Sequence, residues 1–113
     1  MTRIDYSNDE RTTEQLLAAL KSHNWVERRG VAQTLAYRAD RSAVEPLIEC
    51  LSDSKPQVRD QAILSLGMLG DKRAIEPLIA MFSNPECAYH AARALSWIRS
   101  RTVVKPLNIG IEV

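Results

Sequence analysis

The chain has 113 residues, 45% hydrophobic and 26% charged, with fifteen basic against fourteen acidic side chains and a net charge of +1. That length supports one small domain with one continuous core, and the charge balance lacks the basic surplus that nucleic acid or an anionic membrane requires. No apolar run approaches the roughly 20 residues of a membrane span, and the first ten residues lack the apolar stretch of a signal peptide, so a cytoplasmic protein is expected.

Residues 1–11 are polar and are expected to be mobile. Beyond them the chain repeats itself. Glu45, Pro46, Leu47 and Ile48 return as Glu76, Pro77, Leu78 and Ile79, 31 positions on, and fade to Lys105, Pro106 and Leu107. Stepping back by the same 31 positions from Glu45 gives Glu14, Gln15, Leu16 and Leu17. Apolar positions keep register throughout: Leu20 with Leu51 and Phe82, Leu35 with Leu66 and Leu95. A period of this size marks a stacked repeat array. The repeats span about 13–40, 41–71 and 72–100, with a partial unit at 101–107 and a tail at 108–113.

Each repeat reads as two antiparallel helices, so the fold class is all-α, a superhelix of about three helix pairs. The first helix carries Leu16, Leu17 and Leu20, then Leu47, Ile48 and Leu51, then Leu78, Ile79 and Phe82. That spacing places one apolar stripe toward the core. Thr12 with Gln15 and Ser42 with Glu45 have capping-box spacing, and Asp40 and Asp71 are candidate N-caps. Pro46, Pro77 and Pro106 must each lie in a first helical turn or kink what precedes them. The second helix follows Asn24, Ser54 (at capping-box spacing from Gln57) or the Asn84-Pro85 pair. Its core side is Val31 and Leu35, then Val58, Ala62, Leu66 and Leu69, then Cys87, Ala91, Leu95 and Ile98. Small residues such as Ala32, Ala36, Gly67 and Ala94 let the helices approach closely, and Gly70 favours termination of the middle one.

In the middle repeat, Val58-Arg59, Ala62, Leu66-Gly67, Leu69-Gly70-Asp71 and Ala74-Ile75-Glu76-Pro77-Leu78 resemble the HEAT-repeat superfamily, and within it the short repeats of phycobilisome lyase subunits. The first repeat keeps Arg28, Leu35 and Asp40 but has Ala36 and Ala39 where the pattern has glycine. The third has Ala88 in place of the arginine, and Ser96, Arg99 and Ser100 in place of Gly, Gly and Asp. The resemblance covers residues 13 to 107 and implies a curved HEAT-like solenoid whose second helices line an inner, partner-holding surface. It also implies that Asp53 and Arg59 form a polar ladder pair between repeats, incomplete where Ser22 accompanies Arg28.

The second-helix positions free of packing duty are then Val26, Arg29, Gly30, Gln33 and Tyr37; Gln57, Asp60, Gln61, Leu64 and Met68; and Glu86, Tyr89, His90, Arg93 and Trp97. Trp, Tyr and Arg most often dominate binding energies, and large apolar side chains without a packing role mark an interaction surface. The candidate partner-binding residues are Arg29, Gln33, Tyr37, Leu64, Met68, Tyr89, Arg93 and Trp97, gripping a segment of a protein partner. The competing reading is that Tyr37, Met68 and Trp97 pack between repeats. Val103, Val104 and Leu107 read as the start of a further first helix. Residues 108–113 alternate in strand-like fashion and are expected to cap the array or to dock on another copy, making a homo-oligomer.

Cys50 and Cys87 stand where neighbouring repeats place plain apolar residues, which favours reduced core thiols over a disulfide. His23 reads as a solvated turn residue and His90 as part of the variable face. With no ligand-spaced Cys/His/Asp cluster, phosphate loop or nucleophile motif, no metal, cofactor or catalytic residue is assigned. Glu45 and Glu76 read as capping glutamates, not as acid–base catalysts. The expectation is a non-catalytic protein-interaction module. The alternatives are an accessory or fragment of a phycobilin lyase, implied by the resemblance, and, more weakly, a DNA-binding HEAT-like protein.

Overall fold

The computed structural model describes the backbone of residues 9–112 and the side chains of residues 9–100. The helices are α1 (Thr13–Ala19), α2 (Trp25–Tyr37), α3 (Val44–Glu49), α4 (Pro56–Leu69), α5 (Ile75–Ala80) and α6 (Pro85–Glu112), with no strand among the described residues. The first helices α1, α3 and α5 pack on α2, α4 and α6 respectively, and α4 lies between α2 and α6. This is the expected all-α array of three helix pairs.

Local chemistry sets most of the boundaries. Thr12 and Gln15 form the reciprocal capping box that opens α1. The Asn24 side chain accepts from the Val26 N–H at the start of α2, and Asn84 accepts from the Glu86 N–H with Pro85 at the first helical position. Asp40 and Asp71 each cap a short 3-10 turn, Arg41–Ala43 and Lys72–Ala74, that leads into α3 or α5. Pro46 and Pro77 then fall in the first turn of those helices, where their missing N–H costs nothing. Two expected caps are corrected. Ser42 donates to Asp40 instead of joining a box with Glu45, because α3 begins after the 3-10 turn and Ala43 precedes it. Ser54 does not cap α4; Asp53 accepts from the Lys55 N–H and Pro56 opens the helix.

At its far end α4 stops on Gly70 at φ 66°, the left-handed conformation that closes many helices. The equivalent residue of the first repeat, Ala39, takes φ 54°. An L-residue with a Cβ is strained there.

The core is one cluster running through all three pairs, including Leu16, Leu35, Leu47, Leu66, Leu78 and Ile98, each fully buried. Cys50 and Cys87 are free and buried within it. Burial pushes the Cys50 thiol up to about 11. The first-helix stripe holds for the first two repeats, where Leu20 and Leu51 are buried. It fails in the third: Ile79 is 44% and Phe82 45% exposed. Among the described residues no further hairpin covers α5, the first helix of the last pair.

At the termini, Asp9 and Arg11 are held in place. Arg38 donates to both of their carbonyls, and Arg11 pairs with Asp9 at 2.7 Å. Residues 1–8 lie outside the described residues. The helix α6 runs on to Glu112, where a new short helix at 101–107 and an extended tail at 108–113 were expected; Pro106 therefore lies inside a helix and not in a first turn, which corrects that expectation. Apart from the one bond lost at Pro106, which has no N–H, a helix satisfies its own backbone groups, whereas a lone alternating segment leaves them unpaired. The side chains of 101–113, and with them any capping or docking role, lie outside the described residues.

Candidate functional site

The second helices line one wall, and two grooves open on it. The first, about 360 Å³, crosses all three helices: Arg29 from α2; Gln57, Asp60, Gln61, Ile63 and Leu64 from α4; His90, Arg93, Ala94 and Trp97 from α6. The second, about 690 Å³, lies toward the helix C-termini and is lined by Tyr37, Met68, Gly67, Arg41 and, again, Trp97. Trp97 is therefore the ridge between them.

Tyr37 is 57%, Leu64 39% and Tyr89 67% exposed, and Arg29, His90 and Arg93 are exposed; Gln33, Met68 and Trp97 are half-buried. Arg29, Leu64, Arg93 and Trp97 are brought together in the first groove, and Tyr37, Met68 and Trp97 in the second. Gln33 and Tyr89 line neither of these grooves. Tyr89 instead sits one turn before Arg93, whose guanidinium lies 5.9 Å from the Tyr89 ring and 5.4 Å from the Trp97 ring. The spacing i, i+4, i+8 puts the three on one helical face, and the two cation–π contacts restrain the arginine.

Trp97 serves two roles. A Cβ placed on Gly67 would fall 2.7 Å from Trp97 Cε3 and 3.0 Å from Ala94 Cβ. The indole thus rests on the glycine and lets α4 and α6 approach closely, while its other face borders both grooves. It packs between repeats, as the competing reading has it, and also lines both grooves. Gln61 was expected to be free of packing duty and is not: it is 7% exposed and donates to the Ser65 hydroxyl, which in turn donates to the Ala32 carbonyl of the preceding pair. The cause is position. The helix α4 has neighbours on both flanks and α3 beneath, so its buried stripe is wider than that of α2 or α6.

Polar side chains also join the repeats. Arg28 makes a two-pronged pair with Asp53, both contacts at 2.8 Å, and donates to the Ser22 carbonyl at 2.7 Å. Arg59 repeats the second contact, donating to the Asp53 carbonyl at 2.7 Å. The ladder therefore joins the arginine of one repeat to the aspartate of the next, which corrects the expected Asp53–Arg59 side-chain pair. The missing rung is the following one: Asn84 stands where Asp53 stands, and Arg59 is left with Glu86 at 4.0 Å and a buried, unpartnered Nε. The Arg28 guanidinium holds the Asp53 carboxyl below the usual carboxylate range. Arg73, with help from Arg41, does the same for Asp71.

Among the described residues, no three His, Cys, Asp or Glu side chains gather in a metal-holding group, and no helix is long and apolar enough to cross a membrane. A search of curated proteins finds no match. The family model for HEAT repeats matches residues 13–96. With that match over most of its length, and with three stacked helix pairs joined by an arginine–aspartate rung, the chain belongs to the HEAT-repeat family.

Proposed function

We propose that the chain is a non-catalytic protein-interaction module that holds a partner segment against the wall formed by α2, α4 and α6. HEAT repeats are in general protein-interaction modules, and the wall has the composition of one. The observation that carries the reading is the exposure of Tyr37, Leu64 and Tyr89 beside the half-buried Met68 and Trp97. Trp97 also packs on Gly67, but the exposed faces of these large side chains are left over by the core, and tyrosine and tryptophan are among the residues that dominate binding energies. An acid–base or metal mechanism has no comparable support on this wall.

Leu64 provides the cleanest test, because Trp97→Ala would also remove packing over Gly67. Wild type and Leu64→Ala are compared in affinity capture and in thermal melts. The reading expects the melts to agree within a few degrees and one dominant captured protein to be lost with the variant. Equal capture by both proteins would refute it. The resemblance to short lyase-type repeats supports a narrower proposal, that the captured protein is a pigment-carrying one. Mixing with free bilin should then shift the pigment's absorption, and an unchanged spectrum removes that subtype. A DNA-binding role would require retardation of duplex DNA in a gel, which the near-neutral charge argues against.

A further inference from the structure

Arg99 aside, the arginines whose side chains are described fall into two groups, with and without an oxygen partner. Arg11, Arg28, Arg41 and Arg73 face carboxylates; Arg38 and Arg59 donate to main-chain carbonyls. Arg29 and Arg93 have no oxygen partner among the described residues, and both line the same groove. Arg29 stands on α2 and Arg93 on α6, so the two unpaired cations flank α4, the central helix. Asp60 is the one carboxylate among the described residues lining that groove, and Leu64 and Trp97 supply its apolar surface.

A guanidinium is held in this state only if water or a ligand satisfies its donors. Arg93 is further prepared for a ligand. Its guanidinium carbon lies within cation–π range of both the Tyr89 and Trp97 rings, while its N–H edges, exposed and without an oxygen partner among the described residues, remain open to a ligand. Those edges match a carboxylate in the two-pronged geometry that makes such pairs strong. Restraining the side chain beforehand lowers the entropy lost on binding. His90 adds a donor at the same groove.

Resting on the interaction reading above, we infer that the partner segment is acidic: a peptide with carboxylates on either side of an apolar residue. The apolar residue seats on Leu64 and Trp97, and the flanking carboxylates pair with Arg29 and Arg93. Charge complementarity selects this occupant over a basic one, which would meet two arginines and only one aspartate.

The test uses three capped nine-residue peptides with a central Leu-Phe pair, flanked by glutamates, by lysines or by glutamines, titrated calorimetrically into the full chain. Inorganic phosphate forms a fourth arm. The expected order is glutamate, then glutamine, then lysine, with about a tenfold gap between the two charged peptides and a loss of affinity as salt rises. Arg29→Gln and Arg93→Gln should each weaken the glutamate peptide about three- to tenfold and leave the glutamine peptide nearly unchanged. Arg93→Lys, which keeps the charge and loses the planar fork, should recover only part of that loss. Arg29→Gln touches no internal bond among the described residues, so its melt should match wild type. Equal binding of the three peptides, no binding of the glutamate peptide, or phosphate binding as tightly as that peptide overturns the inference. Failure here leaves the Leu64→Ala capture result untouched, so the two readings fall separately.

Discussion

At the scale of single residues, three positions turn backbone or packing geometry into measurable stability. Ala39 carries φ 54°, the conformation that Gly70 adopts in the next repeat at φ 66°. Ala39→Gly relieves a Cβ clash of about 1–2 kcal/mol and gives back part of it as chain entropy, so a net gain of about 0.5–1 kcal/mol is expected in urea unfolding at neutral pH. A loss would show that Ala39 is unstrained. Gly67→Ala works the other way. Its new Cβ would meet the Ala94 backbone at 3.1 Å as well as the indole, and backbone does not move aside as a side chain can. A cost of about 1–3 kcal/mol is expected, read as a lowered denaturation midpoint. The third position is Asn84. Asn84→Asp keeps the cap on α6 and offers Arg59 the carboxylate that Arg28 already has, so a gain of about 1 kcal/mol is expected, measured by urea unfolding at pH 7 and absent at pH 3. The glycine-to-alanine departure at 39 and the aspartate-to-asparagine departure at 84 could both be read from the repeat register. Their consequences could not, because the sequence pairs Asp53 with the nearer arginine and only the stacked geometry joins it to the one before.

At the scale of elements, the three joins from α2 to α5 each carry a carboxylate held by neighbours. Asp53 is stabilised as an anion chiefly by Arg28, Asp71 chiefly by Arg73, and Asp40 chiefly by Ser42 and then Thr13. Each folded pKa lies below its unfolded value of about 3.9. The unfolded chain therefore binds more protons as acid is added, and the contribution of these groups is complete above about pH 5 and is lost as pH falls below about 4. Thermal melts across pH 3–7 should be flat at the upper end and drop at the lower, and Asp53→Asn should have a shallower drop. A melt unchanged at pH 3 would contradict the ladder's role. The helix pairs themselves were legible, because apolar spacing and the caps at Thr12, Asn24, Asp40, Asp71 and Asn84 are local signals. The 3-10 turns that displaced the Ser42 cap were not. Neither was the burial of Gln61, since a side chain's own helix does not reveal how many neighbours surround it.

At the scale of the whole molecule, the repeat makes the two walls unlike each other. The first helices are short, α3 and α5 set between 3-10 turns, while α2, α4 and α6 are longer and present the surface that the core leaves unused. Ile79 and Phe82 are apolar by register yet exposed, in the last pair of the array, which has a neighbouring pair on one side only among the described residues. Register assigned the wall's residues well, including Arg29, Leu64, Arg93 and Trp97. It could not show that Trp97 also packs on Gly67, a contact across helices 30 positions apart. The central claim is that this wall, and not the outer one, meets the partner. It is tested most directly by site-specific photo-cross-linking, with the cross-linker at Leu64 on the inner wall and, in a second protein, at Glu49 on the outer. The expected result is a single protein adduct from position 64 and none from position 49. The same adduct from position 49, with none from position 64, would contradict it.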